Sequence, residues 1–113
     1  MTVDAQMKKG MVDVCILSIL AQGDSYGYQL IKDVAPVMAL SESTLYPVLR
    51  RLEGGGYLTV YAVEHNSRLR KYYAITEDGR KKIADFLGEW ADVKRVYDFI
   101  ARGNEPDAKE DVP

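Results

Sequence analysis

The chain has 113 residues, a formal charge of −2 at pH 7 and 47% hydrophobic residues, enough for one domain with a modest core that a second copy could help complete. A lone cysteine, Cys15, excludes an intrachain disulfide. The longest apolar run, Val14 to Ala21, is too short to span a bilayer, and the start lacks the pattern of a secretion signal, so a cytoplasmic location is expected.

Residues 1–6 read as a frayed start, followed by a helix from about Met7 to Gln22. Val12, Cys15, Ile16, Ile19 and Leu20 fall at spacings of 3 and 1, one wide apolar stripe, and Met11, Val14 and Ser18 form a second, weaker one. One stripe can face the domain and the other a partner. Cys15 reads as a small buried hydrophobe rather than a reactive thiol. Gly23 ends this helix, and Asp24 and Ser25 are expected to cap the next, about Tyr26 to Val34, with Tyr26, Leu30, Ile31 and Val34 inward and Pro36 beyond its end.

A third helix follows. Ser41 can cap it, Leu45, Val48, Leu49 and Leu52 form its buried stripe, and Gly54 to Gly56 stop it. Its other face carries Ser41, Ser43, Thr44, Tyr46 and Arg50, groups that hydrogen-bond phosphates and base edges. Arg50 and Arg51 point about 100° apart, so only one can face a groove squarely. Arg50 is assigned to phosphate, while Arg51 stays open between phosphate and an ion pair. Tyr46 is assigned to contact rather than to covering the core edge, and Pro47 to shaping the helix. Two short helices in this order make a helix-turn-helix, the second being the recognition helix.

After Gly56 the period changes from 3.6 to 2. Tyr57 to Val63 and Arg70 to Ile75 read as strands, joined by the polar turn Glu64 to Arg68. Such a hairpin after a recognition helix is a wing, with His65, Asn66, Arg68 and Arg70 placed for phosphate or the minor groove; the alternative is a plain solvated hairpin. Tyr72 and Tyr73 lie on opposite sides of their strand, so one is core and the other a phosphate contact, the contact being assigned to Tyr73.

Thr76 caps the last helix, in which Ile83, Phe86, Leu87, Trp90, Val93, Val96 or Tyr97, and Ile100 recur at 3 and 4 over about 25 residues. So long an apolar seam points to a dimer helix. The fold class is therefore mostly α with a small β-hairpin (α+β). The expected organisation is a winged helix-turn-helix over residues 1–75, a C-terminal dimerisation helix over 76–103 and an acidic disordered tail over 104–113. Between Ser41 and Lys82 eight basic residues oppose five acidic ones, whereas the stretch from Glu105 to Pro113 carries −3; a polyanion responds to the local patch rather than the total.

On these residues the sequence resembles the PadR family of bacterial transcription regulators, roughly from Lys9 to Ile100. The matching pieces are Gly27-Tyr28 with Leu30-Ile31; Thr44-Leu45-Tyr46-Pro47 with Leu49-Arg50-Arg51-Leu52-Glu53 and Gly56-Tyr57-Leu58; and Arg70-Lys71-Tyr72-Tyr73 with Ile75-Thr76 and Gly79. The resemblance implies a homodimeric repressor that binds a palindromic operator in double-stranded DNA and releases it when a small molecule binds. The single long last helix looks like the compact branch that includes LmrR-like multidrug regulators. In that branch tryptophans of the two last helices stack on planar ligands, which implies a pocket at Trp90 with Met7, Met11, Val14, Ser18, Val93 and Lys94 as neighbours, Trp90 otherwise being dimer core. Ser43 stands where the family often has Gly. Lys94 beside the pocket favours an anionic or neutral planar molecule over a cationic one. The competing reading is a winged-helix protein-interaction module without specific DNA binding. No cofactor or metal is expected, and an enzyme is not, because one His and one Cys form no catalytic or ligating pattern.

Overall fold

The computed structural model describes residues 5–104, with side chains from residue 10 onward. In chain order the elements are α1 (Ala5–Gln22), α2 (Gly27–Val34), α3 (Glu42–Gly54), β1 (Leu58–His65), β2 (Arg68–Ile75) and α4 (Glu77–Asn104). Ala5 and Gln6, expected in a frayed start, are the first residues of α1. The expected tail lies outside the described residues from Glu105 onward. Among the described residues no helix is long and apolar enough to cross a membrane.

The chain divides into two compact units, residues 1–83 and 84–113. In the first, α1 packs against α2, α3 and β2. The core joins Val12, Ile16, Leu17 and Leu20 of α1 to Leu30 and Val34 of α2, Leu45, Val48, Leu49 and Leu52 of α3, and Leu58 and Tyr73 of the hairpin. Each helix contributes residues three or four apart, the spacing that puts side chains on one face. Cys15 is half-buried against this cluster, and burial pushes its thiol pKa up, favouring the thiol over the nucleophilic thiolate.

Helix ends follow local chemistry. The residue before α2 is Tyr26, which makes no side-chain cap, so the capping role expected of Asp24 and Ser25 is corrected. Ser25 instead pairs through its backbone with Tyr73, its N–H and C=O both bonded across a single bridge at 3.2 and 2.8 Å. Ser41 does cap α3: its Oγ accepts from the Thr44 N–H at 3.3 Å. At the other end Tyr57 N–H donates to Leu52 O and Gly56 N–H to Glu53 O, with Gly56 at φ +81°, a left-handed turn that glycine adopts without strain.

β1 and β2 pair antiparallel from Leu58↔Ile75 to His65↔Arg68, joined by Asn66 and Ser67 alone. Both turn residues have positive φ, 51° and 63°, the backbone of a tight two-residue hairpin whose twist matches its strands. The strands thus run further into the expected turn than propensity indicated. Thr76 caps α4, its Oγ accepting from Gly79 N–H at 3.1 Å and donating to Gly56 O at 2.6 Å. Gly79 sits where an added Cβ would lie 2.2 Å from Tyr57 O, so only glycine lets α4 begin there.

Candidate nucleic-acid interface

The N-terminal end of α3 gathers its hydroxyls into one exposed cluster. Ser41 Oγ lies 2.9 Å from Ser43 Oγ and 3.2 Å from Thr44 Oγ1. Arg50 is exposed on the same side of the helix as Ser43, seven residues earlier, because seven residues nearly complete two turns. Pro47 supplies no N–H inside the helix, which frees the backbone carbonyl four residues before it, that of Ser43.

Tyr46 leans from α3 onto the start of α2. A Cβ on Gly27 would fall 2.4 Å from its phenol oxygen, so the two short helices approach closely because residue 27 has no side chain. Tyr46 as a whole remains 37% exposed. Both residues border a groove of about 900 Å³ between the helix-turn-helix and the hairpin. Tyr26 and Tyr28 continue its wall on the helix side, and His65, Asn66, Arg68, Leu69, Arg70 and Lys71 form the hairpin side. Of the residues assigned to DNA, the structure thus brings Tyr46, His65, Asn66, Arg68, Arg70 and Tyr73 around one groove.

The middle of the hairpin is fixed by aromatic contacts. Tyr61 and Tyr72 stack at 5.7 Å between centroids, Tyr26 meets Tyr72 edge-on at 5.5 Å, and the Arg70 guanidinium sits 4.0 Å over the Tyr26 ring. Tyr61 Oη donates to Asp24 at 2.6 Å, and this hydrogen bond holds its pKa above the ordinary tyrosine value. Asp24 therefore ties the α1–α2 connection to the hairpin instead of capping α2.

Two assignments change. Tyr73 is 5% exposed and belongs to the core, so the phosphate role given to it is corrected: strand alternation turns it inward with Val60 and leaves Tyr72 on the other face. Burial first, then the neighbouring Tyr46 and Glu53, raise its pKa, with Arg50 opposing them. Arg51, left open between phosphate and an ion pair, is paired in the fold: its guanidinium holds the carboxylate of Asp13 on α1, which is 7% exposed. Tyr26, Tyr28 and Lys71 were missing from the expected set; Gly27-Tyr28 was visible as a motif, but a single sequence does not show that the hairpin folds back beside it.

Among the residues expected to line a ligand pocket, the Met7 side chain lies outside those described. Met11 and Ser18 are half-buried on α1, and Val14 is 7% exposed. Its expected place on a free, partner-facing stripe is therefore corrected, because α1 buries residues around most of its circumference. In the second unit Trp90 is half-buried with Phe86 at 5.9 Å, and Val93 is exposed. Lys94 donates to Asp98 at 2.8 Å, and this hydrogen bond raises its pKa.

A family model described as the transcriptional regulator PadR-like family matches residues 16–85. A transcriptional regulator from Clostridium thermocellum, Cth-833, is 37% identical with a TM-score of 0.74, over 83% of this chain and 96% of that one. The smu.1704 protein of Streptococcus mutans is 39% identical, TM-score 0.75, over 84% and 90%. Bacillus subtilis PadR, solved in complex with operator DNA, is 23% identical, TM-score 0.64, over 68% of this chain and 46% of that one.

Proposed function

The chain belongs to the PadR-like family of transcriptional regulators, a family of regulators and not of enzymes, and we propose that it is a homodimeric repressor that reads a palindromic operator. The observation that supports this is the groove that Tyr46 of α3 shares with the hairpin residues His65, Asn66, Arg68, Arg70 and Lys71, on a helix that also exposes its hydroxyl cluster and Arg50. α3 enters the major groove with Ser43, Thr44 and Arg50 foremost. The wing lays His65, Asn66 and Arg68 along the adjacent backbone. Bacillus subtilis PadR, which shares the fold, holds operator DNA.

The second unit supplies the dimer. Val93, Tyr97 and Ile100 of α4 fall on one face and are between 44% and 67% exposed, a row too apolar to be left in water along one helix. Pairing with a second copy covers it, and the two recognition helices then sit one helical turn of DNA apart, about 34 Å. Trp90 offers a planar effector an aromatic face within this seam, next to Phe86. Lys94 stands one turn from Trp90, so an anionic or neutral planar molecule is favoured over a cationic one. An effector acts by binding one head spacing better than the other.

The deciding experiment is fluorescence anisotropy of the full chain on a labelled fragment from upstream of its own gene, with excess unrelated duplex and at several salt concentrations. Competitor-resistant binding with a steep salt slope is expected. No affinity for any duplex at low salt would replace this reading with a protein-interaction module.

A further inference from the structure

Arg50 and Arg51 are adjacent on α3, yet the fold uses them differently. Arg50 is exposed in line with Ser43, and Arg51 lies about 20° from the line of Thr44, on the flank of the same reading face. The side chain of Arg51 is 38% exposed and is held by Asp13, whose side chain is 10% exposed. A buried carboxylate is costly unless paired, and an apolar pair of similar volume packs at least as well. Stability alone therefore gives no reason for a cation and an anion here.

We propose that Asp13 is a specificity-determining residue that acts through Arg51, withholding from DNA phosphate a cation the recognition helix would otherwise present. Phosphate contacts strengthen binding to every sequence equally and carry no base information. What a regulator needs is the ratio of operator to random affinity. Holding Arg51 against α1 leaves Arg50 as the arginine of α3 that grips phosphate, and keeps random binding low. This rests on the DNA-binding reading above.

The test measures the salt dependence of binding to a random-sequence duplex for the full-length parent, Asp13→Asn, Arg51→Met and the double variant. Asp13→Asn keeps the shape of the side chain and removes the charge that holds Arg51. Its slope of log affinity against log salt is expected to steepen by about 0.9, equivalent to an extra loss of about 3- to 4-fold across a fourfold rise in salt. Arg51→Met is expected to keep the parent slope, and the double variant to return to it. A pair that only stabilised the fold would lower the melting temperature in Asp13→Asn without steepening the slope, and that result would overturn the proposal. A shallower slope in Arg51→Met would overturn it too, since Arg51 would then already sit on phosphate; this arm can still overturn the proposal if Asp13→Asn folds poorly. A parent with no affinity for any duplex instead removes the DNA-binding reading itself.

Discussion

Gly27 and Tyr46 show how one missing side chain can set a reading surface. The Tyr46 phenol occupies the place of a Cβ at residue 27, so Gly27→Ala must push the ring away or part α2 from α3. A loss of about 1–3 kcal/mol in stability is expected, from overpacking at a close contact, measured by urea unfolding. Arg50 works outward. Arg50→Ala is expected to weaken DNA binding and make the salt slope shallower by about one unit; an unaltered slope would remove it from phosphate. Tyr73 works inward, and its titration carries a sign. Its folded pKa is raised above the ordinary value of 10.0, chiefly by burial. Between the two values the unfolded state holds fewer protons, so the stability from the neutral buried phenol is full below pH 10 and declines as pH rises through the folded pKa. Tyr73→Phe is expected to flatten that alkaline decline, as read from unfolding midpoints at a series of pH values above 9.

The elements themselves were legible where local chemistry decides them. Ser41 as a cap, the glycines closing α3, Thr76 opening α4 and the change of period after Gly56 all reappear in the fold. What sequence could not supply was pairing between distant segments. Nothing near Asp13 announces Arg51, nothing near Asp24 announces Tyr61, and strand alternation leaves Tyr72 and Tyr73 symmetric until the register is known. α1 misled for another reason: its apolar residues go nearly all round, so a stripe does not say which side is free, and Val14 is buried. The hairpin turn is the element whose own preference is least satisfied. Ser67 holds φ 63° without being glycine or asparagine, a cost of about 1 kcal/mol. Ser67→Gly should recover part of it, up to about 1 kcal/mol, in thermal unfolding. Affinity for DNA should stay close to that of the parent, because the tip's cations are retained.

At the scale of the whole molecule the exposed row on α4 is the feature a single chain leaves unresolved. Along the helix Trp90, Val93, Tyr97 and Ile100 recur at three and four residues, while Lys94–Asp98 and Arg95–Asp92 pair charges along the same helix. The Lys94–Asp98 pair flanks the row, and a neutralised charge there suits a helix that meets another helix, since the cation need not be stripped of its partner on association. If two copies join there, a charge placed in the row must separate them without touching the first unit's core, whose residues all precede Ile83 or are packed against it. Val93→Asp with Tyr97→Asp is therefore expected to convert a dimer to a monomer in sedimentation equilibrium, with the strand signal and tyrosine contacts of the hairpin preserved. Operator affinity should then fall much more than random-DNA affinity, because one head reads half a palindrome and loses the gain that comes from tethering the second. A parent that sediments as a monomer at micromolar concentration, or a variant that stays dimeric, would place the dimer contact elsewhere, and equal losses on both DNAs would mean that reading does not depend on paired heads.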